Sequence, residues 1–469
     1  VAGPGFLNLF VADSWLIGAL QEALDVGEGF GVGPERAPER VLVEFVSANP
    51  TGPLHVGHAR NAVYGDALAR VLAFRGDDVA REFYVNDAGS QVRKLGESIR
   101  ALARGEEPPE GGYKGDYLVE VVGRLTNAAS ADPAELGRAA VAIMIESIES
   151  SLAAFGVEGF DRWFFESALH EGDPSPVAHA LAILDEHGQT YTSEGALWLR
   201  TTAFGDDKDR VLVRSNGEHT YFASDIAYHE DKRERGFERQ IDVWGADHHG
   251  YVLRMKAAYE ALGGDPRELE LLIMQLVHLV RSGERAQMSK RAGEFVTLDD
   301  LVAEIGVDAA RWYLLARSHD TTLDLDLDLA REQSSENPVY YVQYAHARIA
   351  SMLDKAGVER IGAATAAAIG VRTEPLHETE RALIELLLAF PAELAEAAER
   401  RAPHRLAAYA LELAQGFTAF YRDCRVVGAD RSEIGQQSVE SRRIVLCVMT
   451  MRTIARSLGL LGVSAPAQM

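Results

Sequence analysis

A parallel-sheet α/β domain, interrupted by a large insertion and followed by an all-helical bundle, is the fold this sequence predicts. Three observations carry it: an early strand–loop–helix–strand unit, a return of strand and helix alternation after residue 220, and helical periodicity beyond Asp328. At the front, a short strand at 6–11 and a helix over about 12–25 lead into a linker punctuated by Gly29, Gly31, Gly33, Pro34 and Pro38. Val41-Leu42-Val43-Glu44-Phe45-Val46 is β-branched and largely apolar, as a strand buried in a parallel sheet requires. Asn49-Pro50-Thr51-Gly52-Pro53 breaks it, a helix over 56–74 follows and stops at Arg75-Gly76, and a second strand spans 79–85. This is a βαβ unit.

Acidic helices at about 89–104, 116–128, 134–155 and 175–187, then a hairpin of 195–200 against 210–214, read as the insertion. The α/β pattern resumes with a helix at 223–235, a strand at 241–244, a helix at 251–262 and a single strand at 271–279. Apolar residues at three-to-four spacing then run through 381–398, 404–422 and 438–460, with Ala363–Ile369 read as a surface linker.

Length and composition fit this picture. The chain has 469 residues, enough for roughly two to four domains at ~100–200 residues each. With 47% hydrophobic and 25% charged residues it is neither disordered nor fibrous. No apolar run approaches the ~20 residues that span a bilayer, and no leader pattern opens the chain, so the expected setting is cytoplasmic. Two cysteines, Cys424 and Cys447, are too few for a thiolate zinc site and read as plain buried thiols. Lysine and arginine number 47 against 71 acids, a net charge of −24, which argues against nucleic-acid binding by bulk charge. Residues 391–469 depart from that balance, with ten arginines against eight acids.

Two stretches carry chemistry. His55-Val56-Gly57-His58 sits where the loop after the first strand enters a helix, and unpaired N–H groups at a helix start favour phosphate. His55 and His58 lie on one face and could donate to one phosphate, while Gly57 lets a nucleotide approach the backbone. Gln287-Met288-Ser289-Lys290 follows the last strand in a basic loop, and Lys290 supplies a mobile charge suited to a pyrophosphate leaving group. A crevice at the switch point of the sheet would bring the two together, giving a nucleotidyl-transfer site. Asp247-His248-His249 lacks a third ligand at a fixed short spacing, so no metal site is expected.

HVGH resembles the HIGH signature, and QMSK the KMSKS signature, of class I aminoacyl-tRNA synthetases. VEFVSANPTGPLHVGHARNAVYGD, FYVNDAGSQV, TYFASDIAYH, VWGADHHGY and MSKRAGEFVTLDDLV are similar to arginyl-tRNA synthetases in particular, and the likeness runs to GLLGVSAPAQM at the end. The resemblance implies a Rossmann-type catalytic domain in two halves (39–88 and 221–300) around an insertion (89–220). A connecting stem (301–335) and a helical anticodon-binding domain (336–469) would follow. Residues 1–38 would be a linker remnant after the added N-terminal domain usual in the family. It implies ATP binding by His55, Gly57, His58, Met288, Ser289 and Lys290, with catalysis by His55, His58 and Lys290. Arginine would be held by Glu44, Ser47, Asn49, His58, Tyr221, Asp225 and His248, with Asp225 as the principal partner of the guanidinium, whose five donors demand carboxylates. Arg422, Arg425, Arg442 and Arg443 are candidates for tRNA backbone contact, and Tyr421 or Tyr409 for base stacking. Mg2+ would come with ATP, the partners would be L-arginine, ATP and tRNA(Arg), and the protein would act as a monomer away from membranes.

The first lysine of the KMSK pattern is Gln287 here, while the second is retained as Lys290. The expected activity is arginine–tRNA ligation. The alternatives are an HxGH-type ligase that adenylates an amino acid without tRNA, and a non-catalytic tRNA-binding paralogue.

Overall fold

The computed structural model describes residues 11–34, 36–285, 296–366, 375–428 and 436–469, except for the side chains of 436–438. Helix α1 (Asp13–Val26) precedes the first βαβ unit: β1 (Arg40–Glu44), α2 (Val56–Phe74) and β2 (Asp78–Val85). Three helices follow, α3 (Gly89–Ala103), α4 (Tyr117–Arg124) and α5 (Pro133–Ala154), with their own small core around Leu95, Leu118 and Met144. Next come β3 (Arg162–Phe165), α6 (Pro176–Glu186) and an antiparallel sheet of β4 (Thr190–Ser193), β5 (Ala196–Leu199) and β6 (Arg210–Val213). The α/β pattern resumes with α7 (Tyr221–Glu234), β7 (Arg239–Gly245), α8 (Val252–Ala261) and β8 (Leu269–Met274).

The central sheet has the order β3-β2-β1-β7-β8, parallel throughout. The connection from β1 goes one way to β2, and β7 lies on its other side, so the switch point falls between β1 and β7 at their C-terminal ends. Helix α2 crosses this sheet with fourteen of its nineteen residues buried, many of them alanine or valine, so it packs on all sides and shows no polar face.

Two sequence readings need correction. The stretch 89–220 is not one insertion, because β3 pairs with β2 at the edge of the parent sheet. The strand expected over 271–279 is two strands. β8 stays in the central sheet, and β9 (Val277–Arg281) joins β10 (Glu284–Arg285) and β11 (Leu323–Asp326) in another. The break falls at Gln275, whose carbonyl is taken by buried Arg60 (2.8 Å) instead of by a neighbouring strand. Arg60 also donates to the carbonyls of Ser318 and Thr321.

The stem comprises α9 (Leu298–Ile305), α10 (Val307–Leu315), β11 and α11 (Leu327–Arg331). The bundle is α12 (Pro338–Ala356), α13 (Val358–Ala366), α14 (Glu378–Glu399), α15 (His404–Asp423) and α16 (Gln436–Leu460). The presumed linker at 363–369 begins as the end of α13, where Ala364 is buried; 367–369 lie outside the described residues, as do 6–10 of the expected first strand. Cys424 and Cys447 are buried free thiols. Among the described residues no helix is long and apolar enough to cross a membrane.

Catalytic domain and bundle are tied by Arg311 of α10, which is fully buried. It pairs with Asp66 of α2 and donates to Phe155 O after α5 (3.1 Å) and Leu461 O after α16 (3.0 Å). Arg311→Met should leave Asp66 with Arg70 (2.9 Å) as its remaining cation and remove the donor from those two carbonyls, costing about 2 kcal/mol in urea unfolding. A loss below about 1 kcal/mol would remove this pair from the forces that join the two parts.

Candidate active site

The site is built at the switch point. Beyond β1 the chain turns through Val46 (φ 68°) and Ser47 (φ 39°), a left-handed conformation that costs a β-branched residue free energy and must be held. Asn61 of α2 holds it, accepting from Val46 N at 2.6 Å and donating to Val243 O of β7 at 2.8 Å. The turn lets Ser47 Oγ donate to Glu44 (2.8 Å) and accept from Tyr84 N (3.2 Å). Asn49 is exposed just beyond.

His55 caps α2. Its Nδ1 accepts from Gly57 N at 3.1 Å, and His58 Nδ1 accepts from His55 N at 3.3 Å, a reciprocal capping box made of two imidazoles. The rings stack with centroids 3.7 Å apart. Gly57 first makes room for this arrangement, since a Cβ there would come within 2.9 Å of the His55 ring. Burial pushes His58 down to about 3, helped by His55, and lowers His55 too. Both rings are therefore neutral, with Nδ1 committed as acceptor and the proton on Nε2 as a donor. Leu298 N donates to Leu54 O (2.8 Å) and Val56 N to Val296 O (3.3 Å), so the chain that follows the basic loop is bonded beside His55. Met288, Ser289 and Lys290 themselves lie outside the described residues.

The second half of the site is acidic. Asp225 stands one turn into α7, and Tyr251 donates to its Oδ2 at 2.5 Å. Burial raises its pKa, against the pull of that hydrogen bond and of nearby His229 and His248. Glu166, directly after β3, is buried, whereas Asp225 is half-buried, and burial together with the Asp225 charge lifts Glu166 to about 7. Tyr84 hydrogen-bonds it. Two carboxylates that repel each other in a half-enclosed space form a site for a cation with several donors. His248, half-exposed beside Trp244, is near enough to act on Asp225; Tyr221 is 63% exposed at the start of α7.

Glu44 is placed differently from the expectation that it binds ligand. One oxygen takes Ser47, and the other takes Lys232 Nζ at 2.6 Å. Lys232 is fully buried and also donates to Asp242 (2.7 Å), which His229 Nε2 meets at 2.8 Å. Burial opposes the Lys232 charge, but Asp242 and Glu44 raise its pKa. Glu44 thus holds the floor of the site through Ser47.

In the bundle, Arg442 is 1% exposed and pairs with buried Glu380 at 3.2 Å, which excludes it as an RNA contact. Arg443 is spent on Glu380 (2.9 Å) and Arg425 O (2.7 Å), while Arg422 and Arg425 are exposed. Tyr409 is buried on Leu386 O, which corrects its reading as a stacking residue. Tyr421 is exposed, with the Arg348 guanidinium 4.7 Å from its ring centre. Exposed Tyr344 stacks on Tyr340 beside it. Sequence reasoning missed Glu166, Tyr84, Tyr251, Lys232 and Arg348. For Glu166 a signal existed: Arg162-Trp163-Phe164-Phe165 is a short aromatic strand, and a carboxylate following it reaches the same sheet edge as Tyr84.

Comparison with known proteins bears on the family and the fold. The catalytic-domain model for class I tRNA synthetases (R) matches residues 26–104 and 167–350, and the DALR anticodon-binding-domain model matches 342–469. The arginine–tRNA ligase of Desulforudis audaxviator is 48% identical over 488 residues, covering all of this chain and 84% of that protein. The arginine–tRNA ligase of Geobacillus thermodenitrificans is 45% identical over 486 residues, covering 100% and 85%. The solved structure of a candidate arginyl-tRNA synthetase from Campylobacter jejuni superposes with a TM-score of 0.88 at 35% identity, covering 98% of this chain and 100% of that one.

Glu166 makes stability depend on pH. Its carboxyl ionises near 4.5 in an unfolded chain and near 7 in the fold, so its contribution is full below about pH 4.5 and is lost as pH rises to about 7. Glu166→Gln should shrink the fall in urea-unfolding stability between pH 5 and pH 8. The same fall in variant and parent would place the shifted proton elsewhere.

Proposed function

The chain belongs to the arginyl-tRNA synthetase family, and from that premise we propose how its residues divide the ligation of L-arginine to tRNA(Arg). The observation that carries the reading is the closeness of Asp225, half-buried, to Glu166, buried, beyond the C-terminal ends of a sheet whose adjoining helix starts with His55 and His58. A guanidinium brings a fixed charge and planar donors that both carboxylates can accept at once. Ser47, Asn49, Tyr221 and His248 surround the rest of the amino acid in this reading, with Glu44 acting through Ser47.

In the first step an arginine carboxylate oxygen bonds to the α-phosphorus of ATP, and the bond to the bridging oxygen breaks. Pyrophosphate leaves with the electron pair, and no proton need move. The protein then has two tasks, to position the reactants and to stabilise charge on the phosphates. Neutral His55 and His58 donate through Nε2 to those oxygens, and Gly57 keeps the backbone close. Lys290 closes on the leaving pyrophosphate, with Met288 and Ser289 on the nucleotide; this role rests on the motif. In this reading Mg2+ enters with the ATP phosphates. In the second step a terminal ribose hydroxyl of tRNA attacks the arginyl carbonyl, the bond from that carbon to the phosphate oxygen breaks, and AMP leaves with the electron pair while the hydroxyl proton passes to its phosphate. The tRNA substrate supports a cytoplasmic setting. Arg422, Arg425 and the Tyr421–Arg348–Tyr344 surface are our candidates for RNA contact.

Arginine-dependent ATP–pyrophosphate exchange, run with and without total tRNA, tests the whole. Exchange only with tRNA supports the synthetase reading, and exchange without it points to a ligase that needs no RNA. Asp225→Ala should lower arginine-dependent exchange by at least ~100-fold with the KM for ATP near that of the parent, since one of the two carboxylates offered to the guanidinium is lost. Normal exchange would remove Asp225 from the guanidinium role. Because Glu166 must be ionised to receive the cation, the KM for arginine should fall as pH rises through about 7. Arg348→Ala or Tyr421→Ala should raise the KM for tRNA about tenfold, in line with the loss of one stacking contact, and leave the KM for arginine unchanged.

A further inference from the structure

Asp225 has two oxygens to offer a guanidinium, and one is already taken. Tyr251 donates to Oδ2 at 2.5 Å, while Oδ1 receives no hydrogen bond from any described residue. The orientation of the carboxylate and the ease with which it ionises therefore depend on Tyr251. That phenol is gripped from three elements. Phe222 of α7 meets its ring edge-on at 5.9 Å and Trp244 of β7 at 6.0 Å, and the Arg254 guanidinium of α8 lies 4.7 Å from the ring centre.

Arg254 is costly where it stands. It occupies the first turn of α8, where the helix dipole disfavours a cation, three residues after Tyr251 and on the same face. It is half-buried, makes no ion pair with any described residue, and its buried Nε has no hydrogen-bond partner. Its charge acts on Tyr251. Burial and the Asp225 carboxylate hold the phenol proton in place, and Arg254 opposes them. A hydroxyl polarised by a neighbouring cation is a stronger donor, so Arg254 favours the ionised form of Asp225 through the phenol. Oδ1 stays open in this arrangement, whereas a cation paired directly with Asp225 would occupy it.

We propose that Tyr251 and Arg254 are positioning residues for the amino-acid substrate, fixing Asp225 from behind so that its second oxygen is left to the guanidinium. The inference rests on the reading that Asp225 receives that group.

The other groups that face Asp225 are His229 and Lys232 of α7, His248 after β7, Glu166 after β3, and Tyr84 of β2. Tyr251→Phe keeps all of them and the ring, and removes only the hydroxyl. Losing a hydrogen bond to the ionised form lets the carboxylate keep its proton to higher pH, so the defect is large at low pH and fades as pH rises.

ATP–pyrophosphate exchange in the presence of tRNA, with arginine varied at about pH 6.5 and about pH 8.5, reads this. Tyr251→Phe should raise the KM for arginine about tenfold at the lower pH and no more than about threefold at the higher, with the KM for ATP at the parent value. Arg254→Met, which keeps the apolar stem, should raise it about threefold at the lower pH alone, and Arg254→Lys, which keeps the charge, should fall between that variant and the parent. An equal rise at both pH values, or a parent-like KM for arginine in Tyr251→Phe or Arg254→Met, would overturn the proposal while Asp225→Ala remains defective. Parent-like exchange in Asp225→Ala would instead overturn the reading on which the proposal rests.

Discussion

Everything in this molecule hangs on one buried guanidinium. Arg311 gathers Asp66 of α2, the carbonyl that follows α5 and the carbonyl that follows α16, so catalytic core, inserted helices and bundle meet at one point. The chain has been shaped around it. Gly462 takes φ +67°, and a Cβ there would come within 2.0 Å of the Arg311 side chain. A hydrophobic contact could bury the same area, but it would not fix where each of three chain ends stops. A buried charge that must be paired and hydrogen-bonded does so, because most other registers leave it unsatisfied.

The active site follows from a similar rule applied selectively. The end of the central sheet carries several buried carboxylates, and most have an internal cation. Glu44 and Asp242 share Lys232, and Glu82 takes both terminal nitrogens of Arg235. Asp225 and Glu166 are answered instead by neutral tyrosine hydroxyls. That contrast localises the demand for positive charge to one pocket and keeps the neighbouring acids from competing for the ligand. At the other end of the site burial keeps both histidines neutral, so they offer N–H groups to phosphate without adding charge that a cationic substrate would meet.

The sequence made a good part of this legible. The bounds of α2 were readable because a Gly/Pro loop starts it and Arg75-Gly76 ends it, and the strand–helix unit around it followed. Asp225 and the histidines were visible through motif resemblance and helical spacing. Glu166 was harder to read because its strand is four residues long and begins 77 residues after β2 ends, and nothing local says that Phe164 and Tyr84 are neighbours. The division between β8 and β9 was equally invisible, since it depends on Arg60 reaching Gln275 from 215 residues away. Long-range hydrogen bonds to side chains leave no periodicity to read.

The acidic balance of the chain bears on how such a protein meets RNA. Nonspecific attraction scales with the number of phosphates neutralised, and a net charge of −24 opposes it. Arginine content in the bundle overstates the positive surface, because Arg442 and Arg443 are consumed by Glu380 and Arg405 by Glu393. What remains outward is a few separated guanidiniums and a run of tyrosines with Arg348 between them. A surface of that kind gains little from duplex backbone and much from unstacked bases, whose faces it can sandwich without depending on bulk charge. On the proposed reading, recognition on this face would draw more on exposed loop bases than on the backbone.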